Sequence, residues 1–450
     1  MSIIPTQFVA PLGPVLWPRQ ASEFTRCEQK GNPEALSPSE QPSFLSLGVA
    51  AEICDGLATR GITHAFAIQE LCLPIALAGK DLIGQARTGM GKTYGFGIPL
   101  LDRVFDDAHV TPPDGSPRAL VIVPTRELCI QVTDDLTIAA QFLPDVNVLA
   151  LYGGVKFETQ IDQLHRGRSD VIVGTPGRLL DLHRRGELVL GGVEIVVLDE
   201  ADEMLDQGFL EDVQQLISET SDNRQMMLFS ATMPGPIMAL SRTFMRHPVQ
   251  IQADHNQSQQ THATTRQVAF QSHKLDRMSA LARILQTPGR GRTMVFTRTK
   301  KQAGFVASDL GQLGFAAGAV HGDMRQHERQ QCLEAFRNGT VDVLVATDVA
   351  ARGIDVEDVT HVINYQCPDD DRAYVHRIGR TGRAGHTGAA VTLVGWDEVD
   401  RFNALCEILH LDLKDPPQWF SSSPEFLEAF DLPSDITDRV GSPRRVLGAH

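Results

Sequence analysis

Two successive sets of short apolar runs, rich in Val, Ile and Leu and separated by helix-like segments, limit what this chain can fold into. The first set is Asp81–Gln85, Ala119–Val123, Asn147–Tyr152, Asp170–Gly174, Glu194–Leu198 and Met226–Ser230. The second is Arg266–Ser272, Thr293–Thr297, Ala316–Val320, Asp342–Ala346, His361–Tyr365 and Ala389–Val394. Near-continuous apolar strands between helices need a parallel sheet covered on both faces. Between the sets, Gln252–Thr265 is polar and almost without large apolar side chains, as in a linker. The expectation is two α/β domains, residues 44–252 and 266–415, joined by a linker at 253–265, in preference to one large doubly wound sheet. Residues 1–43 hold seven prolines and no periodicity and read as a disordered or loosely docked arm. Residues 416–450 form a C-terminal tail.

Charge narrows the class. The 450 residues carry 41 Lys and Arg against 56 Asp and Glu, a formal charge of −15. Attachment to nucleic acid by bulk charge, or to an anionic membrane by a polybasic surface, is therefore disfavoured. A local basic groove on an acidic body stays open. Seven cysteines without a C-x-x-C pair read as free thiols in a reducing compartment. No apolar run reaches the ~18 residues of a membrane span, and the N-terminus lacks the pattern of a signal peptide. A soluble cytoplasmic chain is expected.

Ala86-Arg87-Thr88-Gly89-Met90-Gly91-Lys92-Thr93 follows one apolar run and precedes a helix-like segment. Glycines let backbone N–H groups turn toward phosphate oxygens, and a helix N-terminus favours the anion. Lys92 would reach the β/γ-phosphates and Thr93 would ligate Mg²⁺. Ala86 stands where the common pattern has Gly, and such a string can be an ordinary glycine turn; the strand before it and the helix after it favour the phosphate reading.

Glu194–Leu198 ends in Asp199-Glu200-Ala201-Asp202. Carboxylates at the C-terminal end of a parallel strand sit where such sheets place their chemistry. Asp199 would hold Mg²⁺ and Glu200 would orient and deprotonate an attacking water. The alternative is an acidic first turn of a helix.

The tetrad and the surrounding strings, in order and spacing from Phe44 to about Val394, closely resemble the DEAD-box ATP-dependent RNA helicases of bacterial type. The resemblance implies two RecA-like parallel-sheet domains in tandem with a flexible linker. It implies that Phe44, 17 positions before Gly61, stacks on adenine and that the Gln69 amide pairs with its edge. The chain departs from the family at Phe66-Ala67, where Thr-Pro is usual, so no Thr hydroxyl is offered to the phosphate loop there. ATP with Mg²⁺ is the implied cofactor pair.

By the same resemblance, Pro124-Thr125-Arg126-Glu127-Leu128, Gly153-Gly154 and Thr175-Pro176-Gly177-Arg178 supply RNA contacts through Arg126, Gly154, Thr175 and Arg178. Ser230-Ala231-Thr232 links hydrolysis to strand separation, its hydroxyls reaching the tetrad, Asp202 foremost. In the second domain Arg298, Gln326, Thr347, Arg352 and Gly353 would touch the RNA backbone, and Asp355 the ribose of ATP. His376-Arg377-Ile378-Gly379-Arg380-Thr381-Gly382-Arg383 would give His376 a coupling role and make Arg380 and Arg383 fingers on the γ-phosphate. If that segment is helical, His376, Arg380 and Arg383 share one face.

The implied activity is RNA-stimulated ATP hydrolysis driving local, non-processive unwinding of short duplexes and remodelling of RNA–protein complexes. RNA would be bound largely without sequence preference, by a monomer, with ribosome-assembly or RNA-decay proteins as possible partners. Two alternatives differ in class: an ATP-gated RNA clamp that recruits partners with little unwinding, and a DNA-directed helicase or general P-loop ATPase. Trp419, Phe420, Phe426 and Phe430 read as a helix packing back on the second domain in preference to an RNA-stacking platform.

Overall fold

The computed structural model describes residues 42–86, 91–106, 116–167, 169–252, 265–351, 359–382 and 387–448. The chain divides into two compact units. The described residues up to 252 build one sheet and those from 265 onward the other.

The first sheet contains β1 (Leu82–Gln85), β2 (Ala119–Ile122), β3 (Val148–Leu151), β4 (Val171–Gly174), β5 (Ile195–Leu198), β6 (Gln225–Ser230) and β7 (Val249–Gln252). All pairings are parallel, in the order β3-β4-β2-β5-β6-β1-β7. Alternate residues of each strand point to opposite faces, and both faces are apolar. Val121, Val173, Val197 and Phe229 enter one core, with the helices Ala51–Ala58, Ala67–Leu77, Lys92–Phe105 and Arg126–Ala139. Leu120, Ile172, Val196 and Leu228 enter the other, with Pro176–Arg184, Leu210–Ser218 and Gly235–Phe244. The six apolar runs of the first set are β1 to β6. The edge strand β7 was not anticipated. Its sequence Val-Gln-Ile-Gln buries only Ile251, so it lacks the continuous apolar character of a central strand.

The second sheet contains β8 (Thr265–Gln271), β9 (Arg292–Thr297), β10 (Ala317–Val320), β11 (Val343–Thr347), β12 (Val359–Asn364) and β13 (Gly388–Val394). It too is wholly parallel, in the order β10-β11-β9-β12-β13-β8. Val268, Val295, Val345 and Ile363 pack on one face under Arg277–Ile284 and Lys300–Gln312. Ala269, Ala390 and Val394 pack on the other under Asp371–Ile378 and Val399–Leu409.

The C-terminal residues belong to this second core. Phe426 and Phe430 are fully buried, and Phe270 meets Trp419, Phe426 and Phe430 at ring separations of 5.6, 5.5 and 6.1 Å. Beyond them the chain passes the end of the helix Lys300–Gln312 and, at Leu447, meets the free edge of β10. The N–H of Val440 donates to Leu313 O (2.9 Å), that of Arg444 to Gly311 O (2.8 Å), and that of Ala319 to Leu447 O (2.9 Å). Close backbone approach requires glycine here: at Gly314, with φ 97°, a Cβ would lie 2.6 Å from Gly441 N. An edge that would otherwise offer unpaired backbone groups is thereby covered. The expected arm up to residue 41 and the linker 253–264 lie outside the described residues.

Candidate active site

Sheet order gathers the acidic and phosphate-loop strings on one side of the first domain. β5, β6 and β1 are neighbours, so the segments leaving their C-terminal ends start side by side. From β1 the chain enters the glycine-rich loop, of which Arg87, Thr88 and Gly89 lie outside the described residues. Gly91, with φ 77°, is the N-cap of the helix that begins with Lys92 and Thr93. Lys92 is 6% exposed, and its charge acts on Asp199.

From β5 comes Asp199, 3% exposed, then Glu200 with φ 54°. A left-handed backbone at a non-glycine residue is strained, and such strain collects at functional sites. Asp199 Oδ1 accepts from the Glu200 N–H at 3.0 Å. Burial, foremost, pushes the Asp199 carboxyl up to about 7; Lys92 lowers it, while Glu200 and Asp202 raise it. A desolvated cluster of carboxylates opposed by one lysine favours uptake of further positive charge. With the Thr93 hydroxyl on the adjacent helix start, these residues fit a hard divalent cation with oxygen ligands.

From β6 comes Ser230. Its Oγ accepts from the Asp202 N–H (3.1 Å) and donates to Thr232 O (2.7 Å). Asp202 Oδ2 accepts from both the Thr232 N–H (2.9 Å) and the Thr232 hydroxyl (2.8 Å). The acidic tetrad and the serine–threonine string thus form one closed hydrogen-bond network.

The other side of the same sheet, β3-β4-β2, gathers the remaining first-domain strings. Thr125 caps the helix from Arg126, its hydroxyl accepting from the Leu128 N–H at 3.3 Å. The Arg126 guanidinium packs on Gly153-Gly154, where an added Cβ would collide with it. Thr175 is the half-buried N-cap of Pro176–Arg184.

Arg178 departs from expectation. It is buried, donates to Gln160 Oε1 and to Val155 O, and lies 4.1 Å over the Phe157 ring. Two of its donors hold the loop after β3.

In the second domain, the turns after β10, β11 and β9 are likewise neighbours and carry Gln326, Thr347 and Arg298. Gln326 opens the helix Gln326–Arg337, and Thr347 closes β11, buried. Arg298 is committed internally: it donates to Cys367 O and pairs with Glu398 and Asp369. The helix Asp371–Ile378 includes His376 but ends at a Gly379 cap, and Arg380 follows in a turn. His376 and Arg380 therefore do not share a helical face, where one was expected. Arg352, Gly353, Asp355 and Arg383 lie outside the described residues.

Stacking by Phe44 is the clearest correction. Phe44 is 1% exposed, enclosed in the first core, and presents no stacking face. Gln69 is equally enclosed, its Oε1 accepting from the Phe66 N–H (2.9 Å) and its Nε2 donating to Gly91 O (2.8 Å).

Sequence reading gave Arg377 and Asp348 no role, yet they tie two strings together. Arg377, fully buried, donates from Nε and Nη2 to the two Asp348 oxygens at 2.6 and 2.7 Å, and reaches Asn364 and Gln366 O. An arginine beside an acidic string is the signal that could have suggested a bidentate pair.

Residues 66–240 match the family model described as DEAD/DEAH box helicase, and residues 276–385 the helicase conserved C-terminal domain. The DEAD-box ATP-dependent RNA helicase CshA of Geobacillus kaustophilus is 42% identical over 364 residues, 80% of this chain and 75% of that protein. The ATP-dependent RNA helicase DeaD of Buchnera aphidicola is 43% identical over 355 residues, 78% of this chain but 57% of that protein. S. cerevisiae Dbp5 bound to RNA and ADP BeF3 superposes with a TM-score of 0.73 at 29% identity, covering 86% of this chain and 97% of that one. Mss116 bound to ssRNA and AMP-PNP gives 0.75 at 25% identity, covering 88% and 84%.

Proposed function

The chain belongs to the DEAD-box ATP-dependent RNA helicases, and from that premise we propose how its residues divide the work. Lys92 and the loop from Ala86 to Thr93 hold the phosphates of ATP. Thr93 and Asp199 hold Mg²⁺, which neutralises phosphate charge. Glu200, fixed at the end of β5 by its left-handed backbone, orients the attacking water and takes its proton as the water oxygen bonds to the γ-phosphorus and the bond from that phosphorus to the β,γ-bridging oxygen breaks, ADP leaving with that oxygen. Arg380 and Arg383 stabilise the charge that develops on the γ-phosphate, and Asp355 binds the ribose.

RNA is held through its backbone, without sequence preference, by Arg126, Gly154, Thr175, Gln326, Thr347, Arg352 and Gly353. Arg178 and Arg298 serve that surface by fixing its loops. RNA and ATP favour one another's binding. The Asp202–Ser230–Thr232 network, with His376, transmits hydrolysis to strand separation. The product is local, non-processive unwinding of short RNA duplexes by a monomer. A cytoplasmic setting belongs to the same reading, as do partners from ribosome assembly or RNA decay.

The observation that carries this reading is the convergence of buried Lys92, Asp199, Glu200 and the Asp202 network at the ends of β1, β5 and β6. The test is ATP hydrolysis with and without single-stranded RNA, and displacement of a short RNA duplex, by the intact chain beside Glu200→Gln. Both activities should depend on Glu200. RNA binding gated by ATP without displacement would favour the clamp.

A further inference from the structure

The tail after residue 415 does more than complete a core, because it pairs with both outer strands of the second sheet. At β8, the Gln271 N–H donates to Pro417 O (2.8 Å) and the Trp419 N–H to Gln271 O (3.2 Å). The tail then packs Phe426 and Phe430 on one face of the sheet, and Arg283 meets Asp438 at 2.7 Å. At the opposite edge Leu447 pairs with Gly318 of β10.

The next residue reaches past the strand to the turn that leaves it. Gly448 has φ 76°, and a Cβ on it would stand 2.5 Å from Ala319 O, 2.5 Å from Met324 Cε and 3.2 Å from Met324 Sδ. The buried His321 ring donates to the Gly448 carbonyl. The Met324 N–H donates in turn to His321 O at 3.2 Å, and Gln326 opens its helix two residues later. Because β10 is an outer strand, its exit turn has a neighbouring strand, β11, on one side only. A further tie is the ion pair of Lys300 with Asp323 at 2.7 Å, but both side chains are exposed and such pairs hold little energy. The tail braces the open side. A binding surface is only as well placed as the residues that support it.

We propose that Gly448 and Met324 are positioning residues for RNA binding: the tail seats the turn His321–Arg325 and, through it, Gln326. This rests on the reading of Gln326 as an RNA contact. The tail then sets RNA affinity and leaves the nucleotide site alone.

The experiment measures RNA-stimulated ATP hydrolysis by the intact chain and by Gly448→Val, Met324→Ala, Met324→Leu, Gly314→Ala and Gln326→Ala. It reads the half-saturating RNA concentration, the KM for ATP and the rate at saturating RNA, below the melting temperature of every variant. Gly448→Val and Met324→Ala should raise the half-saturating RNA concentration roughly five- to tenfold, with KM for ATP and the saturated rate unchanged. Met324→Leu conserves volume and should match the unaltered chain. Gly314→Ala strains the tail away from the turn, so it should lower the melting temperature and leave the RNA dependence unchanged. RNA dependence that simply follows melting temperature across Gly314→Ala, Met324→Ala and Gly448→Val would overturn the inference, since the tail would then act through stability alone. Unchanged half-saturating RNA in Gly448→Val and Met324→Ala, beside a weakened Gln326→Ala, would overturn it as well. If Gln326→Ala responds to RNA as the unaltered chain does, the RNA reading of Gln326 falls first, and the inference with it.

Discussion

Removing the Thr232 hydroxyl should separate hydrolysis from unwinding. Thr232→Val keeps the volume of the side chain but deletes one of the two bonds to Asp202 Oδ2. We expect duplex displacement to fall roughly five- to tenfold while RNA-stimulated hydrolysis changes much less; equal losses in the two assays would deny the network a coupling role. Asp199 gives a prediction about pH. Its carboxyl titrates near 3.8 in an unfolded chain and about 7 in the folded protein. The folded state then binds more protons between those values, so its contribution to stability falls as pH rises from 3.8 through about 7. Asp199→Asn removes that penalty. In nucleotide-free protein, its melting temperature should exceed that of the unaltered chain by roughly 5 °C or more at pH 8, with the gap shrinking toward pH 5, while hydrolysis is lost. A gap independent of pH would refute the burial argument. At this scale the sequence was legible where grouping is local: Lys92, Thr93, Asp199 and Glu200 stand in strings that mark strand ends, and the fold sets those ends side by side. It was silent where partners are distant. Nothing near Arg178 announces Gln160, and Glu398 lies 100 residues from Arg298.

Elements were easier to read than their ends. A strand covered on both faces is largely apolar, and the twelve apolar runs all coincide with strands. The edge strand β7 escapes because solvent tolerates its glutamines. The turn after Asp371–Ile378 escapes because a helix continued through Arg380 and a helix stopped at Gly379 share the same local composition. The covering of β10 by residues 440–448 was also invisible, since it depends on a glycine track at Gly311 and Gly314 far upstream. Gly314→Ala places a Cβ against the Gly441 backbone and strains a left-handed φ. It should lower the melting temperature of the second domain by roughly 3–10 °C. Deleting residues 440–450 should do the same and promote self-association through the uncovered edge, seen as a mass increase by light scattering. A deletion that leaves both stability and mass unchanged would show that the strap is incidental.

For the whole molecule, two parallel sheets place their loops so that chemistry gathers at the C-terminal ends of strands, as parallel α/β architecture favours. In the first domain the order β3-β4-β2-β5-β6-β1-β7 sorts these loops into a side with the phosphate-loop, acidic and serine–threonine strings and a side with the Arg126, Gly153-Gly154 and Thr175 strings, joined through the β2–β5 pair. That sorting follows from strand order, which apolar runs alone do not reveal. The motifs and their order along the chain identified the family; the placement of each side chain required the fold. The central claim is that RNA stimulates an ATP hydrolysis in which Glu200 activates the water. The most direct measurement is the steady-state rate of ATP hydrolysis by the intact protein, with and without saturating single-stranded RNA, beside Glu200→Gln. Strong stimulation by RNA that vanishes in Glu200→Gln is the result expected. Hydrolysis that is indifferent to RNA, or that survives the loss of the Glu200 carboxylate, would contradict the account.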